Sequence, residues 1–368
     1  MKNKTWLRIL TGLLALALVA AACGDDDDGA QQASCDVGET DGNLAMYNWA
    51  EYIDEEQLAE FASEHGISYT LDTYDSNEAM QPIVSAGGSG YDIIVPSDYM
   101  VSILIDAGSI QPLNFDAIPN GANISADFEG IYYDPAGEFS VPYQWGTTGI
   151  AVNTAAVGTD FPRSWGLIFD PAISGEFDGE IQLLNDPRET MGAALKYLGY
   201  SLNTTSDAEL QEATDLVSAT ASRLAAFNTD SADEFLTSGE TVIAHGYSGD
   251  MFVQFLETDN PEEYVYFVPE EGGTRWIDNM AIPFDAPNPC TAHTFINWML
   301  SADQGAALTN WNYYATPNEA AFELLDQELL DFIGNPELYA GGVESLEEIE
   351  DTGDFETNYA DAFTEAKG

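Results

Sequence analysis

The stretch NLAMYNWAEYIDEEQLAEFASEHGISYTLDTYDSNEAMQPIVSAGGSGYDIIVPSDYM, residues 43–100, decides the fold. It opens on an apolar run, 43–49, of strand type. Asp54 follows as a helix cap, with Gln57 three residues on as a capping-box partner and Gly66 as the stop. Leu58, Phe61 and Ala62 give that helix its apolar stripe. A second strand covers 67–74. Ser76 caps a helix to Ser85, in which Pro82 is expected to kink or shorten the run. The turn GGSG then yields to YDIIVPS, whose apolar centre is the type buried in a parallel sheet. A helix over 98–107 completes a β-α-β-α-β-α unit, so this part of the chain is α/β.

Beyond it, 111–137 is less regular, with three prolines, and 139–153 (FSVPYQWGTTGIAVN) reads as two strand pieces. A strand at 180–186 leads to a helix at 187–198 and another near 207–226. A strand at 241–247 precedes a helix starting near Gly249. VYFVPEEGG and RWIDNMAIP are strand-like, and the chain from Cys290 on is mostly helical. A length of 368 residues exceeds one ordinary domain. No internal repeat and no long linker appears, so two lobes joined by more than one short crossing are expected.

The N-terminus is an address. Lys2, Lys4 and Arg8 precede an apolar run of 14 residues from Ile9 to Ala22, too short for a comfortable membrane span. Residues 1–22 read as a signal peptide and Cys23 as its lipidation site, since Ala20, Ala21 and Ala22 resemble the lipobox of bacterial lipoproteins. An ordinary secretory cleavage nearby is the alternative; either makes the protein exported, in a periplasmic or cell-surface location. Residues 23–42 are acidic, polar and glycine-rich, a solvated tether. With Cys23 lipidated, Cys35 and Cys290 remain as an even pair in an oxidising compartment, read as a disulfide against the alternative of two separate thiols.

The chain carries 64 acidic and 9 basic side chains, a formal charge of −55. Starting at Cys23 it keeps six cations, a charge of −58. Nucleic acid is excluded as a partner, because nothing here neutralises a phosphate backbone. A cationic partner or a salty medium suits such a charge. His65, His245 and His293 share no metal spacing and read as structural. No HExxH, GxSxG or CxxC occurs, and no cofactor is expected. Paired carboxylates abound in so acidic a chain, which keeps a secreted carbohydrate-active hydrolase open as a rival.

Several segments place an aromatic beside a carboxylate or hydroxyl where a strand ends. They hold Trp49 and Tyr52; Ser97, Asp98 and Tyr99; Asp186 and Glu189; Tyr247 and Asp250; Trp276 and Asp278; and Tyr314. In open α/β sheets, ligands sit beyond the carboxyl ends of strands. Flat π-faces with anionic ends suit a slender organic cation: the rings cover methylenes and attract ammonium, and the carboxylates accept charge-assisted hydrogen bonds.

On YNWAEYI, YDSNEAM, YDIIVPSDYMV, VPYQWGTTGIAVN, LLNDPRE, LGYSLNT, EEGGTRWIDNMAIP and TPNEAA, spread over 44–319, the chain resembles the polyamine-binding proteins of bacterial ABC importers. The resemblance implies a two-lobed periplasmic-binding-protein fold of class II type that closes on putrescine or spermidine. The expected lobes are 43–147 with 279–322, and 148–278 with 323–368. By motif, Trp49 and Tyr52 form a first wall, Ser97 and Tyr99 follow the third strand, and Asp186 and Glu189 are the acidic pair. Trp276 is an aromatic wall, Asp278 the main amine-holding carboxylate, and Tyr314 another wall residue. Tyr247 stands where the family usually has Trp, Ala50 lacks a hydroxyl often found there, and Asp98 adds a carboxylate. Asp250 resembles the putrescine-type pattern. A C-terminal glutamine used by some members has no clear counterpart, and ligand length stays open.

The implied protein is a monomer, not an enzyme, that delivers a polyamine to permease subunits while anchored to the membrane by lipid. The same fold also serves other amines and amino acids. A zwitterion needs a basic partner, for which Arg188 and Arg275 are the nearest candidates in sequence.

Overall fold

The computed structural model describes residues 32–368. Cys23, the signal peptide over 1–22 and the start of the expected tether lie outside them. From Cys35 onward that tether is not free. Asp41 accepts from the amides of Cys290 and Thr291 at 3.2 and 3.0 Å, and the Thr294 hydroxyl donates to the Glu39 carbonyl at 2.6 Å. Cys35 and Cys290 are bonded, with 5.3 Å between their α-carbons. The acidic segment ends docked because it caps a helix whose first amides need acceptors.

One nine-stranded sheet carries the fold. β1 (Leu44–Trp49) lies parallel between β2 (Tyr69–Tyr74) and β3 (Ile93–Ile94). α1 (Glu55–His65), α2 (Asn77–Ser85) and α3 (Asp98–Asp106) alternate with them. Asp54 caps α1 through the Glu56 amide, and Gly66 ends it at φ 67°. Gln57 makes no capping box. Its side chain is buried and donates to Gln304 instead, because a tertiary partner outcompetes the local one. Pro82 does not shorten α2, which runs on to Ser85.

Residues 139–153 form one strand, β4 (Ser140–Asn153), rather than two pieces. The residues that look like breaks have other work. Pro142 lies at a register shift, where a missing amide donor is tolerated. A Cβ on Gly146 would come within 2.6 Å of the Trp276 ring, and one on Gly149 within 2.5 Å of the Phe267 carbonyl oxygen. Over Ser140 to Thr147, β4 pairs antiparallel with β9 (Arg275–Ala281). Beyond that it pairs with β7 (Ile243–Tyr247) and β8 (Tyr264–Phe267).

β4 therefore joins the two lobes of the α/β fold. The second lobe adds β5 (Ile181–Leu183), α4 (Pro187–Leu198) and α5 (Asp207–Ala221). It continues with β6 (Leu224–Phe227), α6 (Ala232–Ser238) and α7 (Ser248–Glu257). The helix expected to 226 stops at Ala221, because Leu224–Phe227 is recruited as the strand beside β5. α8 (Pro289–Met299) and α9 (Ala302–Asn312) return to the first lobe, and α11 (Glu356–Lys367), after the short α10 (Gln327–Ile333), packs on α4 and α5. Each lobe has its own core: Leu44, Met46, Phe61 and Phe295 fill the first, and Ile150, Ile181, Leu195 and Tyr359 the second.

The bond between Cys35 and Cys290 ties segments 255 residues apart. Peptide mapping without reductant is expected to recover them as one linked pair. Reduction is expected to destabilise the protein by roughly 2–4 kcal/mol, read as a lower melting temperature. Two free thiols in the native protein would contradict the bond.

Candidate functional site

The carboxyl ends of the parallel strands of both lobes converge on one cleft. β1 delivers Trp49, β2 Tyr74, β3 Ser97, β5 Asp186, β6 Thr229 and Asp230, and β7 Tyr247. All twelve residues singled out from the sequence line it: Trp49, Tyr52, Ser97, Asp98, Tyr99, Asp186, Glu189, Tyr247, Asp250, Trp276, Asp278 and Tyr314. Tyr74, Asn77, Thr229, Asp230 and Ile349 also line it and were not anticipated. Tyr74 and Asn77 lie within the quoted YDSNEAM, where a polar reading of the motif would have found them. Thr229 and Asp230 follow β6, the strand that was read as helix.

The walls are aromatic. Trp276 sits at the centre, with ring centroids 5.9 Å from Tyr247, 6.3 Å from Tyr52 and 5.2 Å from Tyr314. Trp49 completes the box, 4.7 Å from Tyr74 and 6.3 Å from Tyr247 across the lobes. Gly146 leaves room for the Trp276 indole, whose N–H donates to Thr148 at 3.2 Å. The backbone takes strained turns to present these rings. Glu51 and Tyr313, with φ of 52° and 59°, each precede a wall tyrosine, Tyr52 and Tyr314. Such conformations cost about 1–3 kcal/mol and persist where surrounding structure enforces them.

Of the helices that begin at the cleft, three carry acids at that end that belong to its lining. A helix N-terminus carries a partial positive charge and ordinarily attracts anions. Here the protein's own acids occupy those ends: Asp98 starts α3, Asp186 caps α4 with Glu189 in its first turn, and Asp250 lies in the first turn of α7. A geometry made for anions is thereby converted into one for a cation.

The acids are not equivalent. Asp98 is fully buried, and its oxygens accept from the amides of Tyr99 at 2.8 Å and Ile277 at 3.3 Å. It fastens α3 to β9. Glu189 accepts from the hydroxyls of Thr148 and Thr274 at 2.9 and 2.8 Å. Asp278 is 5% exposed; its Oδ1 and the Tyr52 hydroxyl make no hydrogen bond of full geometry among the described residues, although the hydroxyls of Ser97 and Tyr52 lie close enough to ease the burial of the carboxyl. Asn77 holds Ser97 in place beside it, accepting from the Ser97 amide and donating to its hydroxyl.

Burial pushes the carboxyls of Asp278 and Glu189 up to about 7, although neighbouring hydroxyls offset part of the rise. Burial, with other acids close by, raises Asp98, Asp186 and Asp250 well above the usual carboxylate range.

The lining holds no lysine or arginine among the described residues. Arg188 does not face the cleft as its sequence position suggested. It is buried in the second lobe, 2.6 Å from Glu356 and stacked 4.3 Å over Tyr359. Arg275 pairs with Glu348. His245 is buried and neutral, its pKa lowered to about 3, and His293 accepts from the Asn114 amide; neither lines the cleft.

A family model described as bacterial extracellular solute-binding protein matches residues 56–330. A putrescine/cadaverine-binding protein of Pseudomonas aeruginosa is 35% identical over 292 residues, covering 78% of this chain and 82% of the relative. A spermidine/putrescine-binding periplasmic protein of Escherichia coli is 34% identical over 327 residues, covering 89% and 88%. The solved structure of a spermidine/putrescine ABC transporter substrate-binding protein of Streptococcus pneumoniae superposes with a TM-score of 0.68 at 33% identity, over 89% of this chain and 98% of that one. With two lobes meeting at an acidic, aromatic cleft, this chain belongs to the bacterial extracellular solute-binding proteins.

Proposed function

We propose that the protein captures a polyamine, putrescine or spermidine, outside the cytoplasm and delivers it to the permease of an ABC importer. The observation that carries this reading is the carboxyl of Asp278, buried with no hydrogen bond of full geometry to its Oδ1 in an aromatic cleft whose lining holds no lysine or arginine among the described residues. A buried carboxylate requires a positive partner. An alkyl ammonium supplies it, and its methylenes fill the space between the indoles of Trp49 and Trp276. Asp278 holds one amine. The acids of the second lobe, Asp186, Glu189 and Asp250, provide the countercharge for another. The relatives named above support the ligand class.

An amino acid fits less well, because its carboxylate would meet only acids. The proposed lobes are 43–147 with 279–322, and 148–278 with 323–368, closing about β4 and β9. Asn185 donates to Asp75 at 2.6 Å across the cleft and is a contact made on closure. Closure excludes water and strengthens each amine–carboxylate pair. Lipidation at Cys23, membrane anchoring through it and a monomeric state complete the proposal.

Asp278→Asn removes the countercharge and keeps the shape. Truncating one member of a desolvated pair costs about 2–5 kcal/mol, so polyamine binding is expected to weaken by roughly 30-fold or more in calorimetry. Trp276→Ala is expected to lose about 1–2 kcal/mol of cation–π contact and cover. The exposed Glu176→Gln removes the same formal charge away from the cleft. Equal weakening by Asp278→Asn and Glu176→Gln would mean that the general negative field, and not a built site, attracts the ligand.

The pH dependence has a definite sign. In the empty folded protein Asp278 keeps its proton up to about pH 7, whereas unfolding restores an ordinary carboxyl near 3.8. Between those values the folded state binds more protons, so this group's contribution to stability falls as pH rises and levels off above 7. Asp278→Asn is therefore expected to melt higher than wild type at pH 8, by up to about 4 kcal/mol in stability, with the gain gone near pH 4. A variant less stable than wild type at pH 8 would show that Asp278 is satisfied without ligand.

A further inference from the structure

The wall tyrosines Tyr52 and Tyr314 stand on the strained turns at Glu51 and Tyr313. Their rings meet edge to face, with centroids 5.1 Å apart. A residue with a side chain keeps a positive φ only where its surroundings enforce it. Here the enforcing groups come from one place, the bulge of β4, where the pairing with β9 shifts register between Pro142 and Gln144. Neighbours in a regular strand face opposite sides of the sheet. At this bulge the neighbours Tyr143 and Gln144 each reach one of the two turns, and neither belongs to the lining of the cleft.

Tyr143 is buried, and its hydroxyl donates to the Tyr52 carbonyl at 2.8 Å. Its ring lies edge-on to the Tyr52 ring, 5.4 Å between centroids. Gln144 is fully buried and exchanges two hydrogen bonds with Asn312, the last residue of α9. Its Nε2 donates to Asn312 Oδ1 at 2.9 Å, and its Oε1 accepts from Asn312 Nδ2 at 2.6 Å. Asn312 Oδ1 also accepts from the Tyr314 amide at 3.3 Å, so one side chain spans the strained residue. Beyond the turn, Trp145 and Ala315 exchange backbone hydrogen bonds at 2.9 and 3.0 Å. The chain is thus fastened to β4 on both sides of Tyr314. The other lobe rests on the same turn: a Cβ on Gly249 would come within 2.6 Å of the Asn312 carbonyl oxygen and 2.7 Å of the Tyr314 ring.

Two apolar side chains would fill the space of the Gln144–Asn312 pair, but they have no direction. A buried, reciprocal amide pair fixes one geometry, because any other leaves donors and acceptors unmet. We propose that Tyr143 and Gln144 are positioning residues: without touching the ligand, they set its affinity by holding the turns that present Tyr52 and Tyr314. Apparent affinity scales with the fraction of molecules in the competent geometry. A turn freed of its anchor relaxes towards negative φ and carries its ring out of the box. The inference rests on the polyamine reading above for its ligand.

The test is putrescine calorimetry and thermal melting on wild type, Tyr143→Phe, Gln144→Leu and the double variant Gln144→Leu with Asn312→Leu. Gln144→Leu strands the buried Asn312 amide and is expected to lower both affinity and melting temperature. The double variant replaces both polar partners with apolar groups, a change that is nearly neutral for stability when shape is kept. It is expected to melt close to wild type and still to bind about tenfold more weakly. Tyr143→Phe keeps the ring and loses the anchor. The Asn48 side chain still reaches the Tyr52 carbonyl at 3.4 Å, so stability is expected to hold while binding weakens about fivefold. A merely structural role predicts instead that affinity returns with the melting temperature. Wild-type affinity in the double variant or in Tyr143→Phe would overturn the proposal, and Tyr143→Phe decides alone if the double variant melts low. The near-ultraviolet circular dichroism of the ring cluster, read without ligand, is expected to weaken in both. If wild type binds no putrescine, the polyamine reading is overturned; the positioning then stands on a weakened ring signal and is overturned by an unchanged one.

Discussion

A carboxyl buried among aromatic rings with no lysine or arginine in the described lining is the constraint on which the cleft depends. Asp278 lies in the middle of β9, the strand that pairs with the first half of β4. It is held in place from both sides, by the bridge between Ser97 and Asp278 and by the pairing with Gln144. The surrounding acids cannot relieve it; they add to the same field. Such an arrangement is unfavourable in isolation, and a protein that keeps it stores part of its binding energy as a group waiting for a cation. The helix N-termini at the cleft point the same way. Each would attract an anion, and each is already occupied by an acid of the chain.

The distribution of cations sharpens the contrast. Every lysine and arginine after Cys23 falls between residues 163 and 367. The few present are spent on architecture: Arg223 on Asp178, Arg188 on Glu356, Lys196 on Glu347 and Arg275 on Glu348. With so few positive charges, self-repulsion is large, and salt screens it. The cleft is the place where that excess becomes specific, because there the charge is desolvated and framed by rings.

Much of this was legible in the sequence. The alternation of apolar runs and capped helices over 43–100 gave the α/β class, since caps and glycine stops act locally. The cleft residues that follow β1, β3, β5 and β7 were legible because strand ends in parallel sheets share a location; Trp276 and Asp278 lie inside β9 and Tyr314 follows α9, so the motif and not the strand-end rule picked them out. What depended on tertiary pairing was not legible. Gln57 found Gln304 instead of its own helix end. Pro142 and Gly146 looked like a break and proved to be a bulge and a place for the Trp276 ring. Leu224–Phe227 has helical residues and became a strand through β5. Ile349 had no signal of its own. It reaches the cleft because Glu347 pairs with Thr274, a contact between segments that no periodicity links.

The central claim is that the cleft recognises charge and that its raised carboxyls are the recognising groups. The most direct measurement is titration of the protein with putrescine and with the neutral 1,4-butanediol at pH 7, in two buffers of different ionisation enthalpy. An ammonium beside Asp278 and Glu189 lowers their pKa from about 7, so the diamine is expected to bind with release of protons to the buffer. The diol is expected not to bind. A diol that binds as tightly as the diamine, or diamine binding with no proton release, would contradict the account.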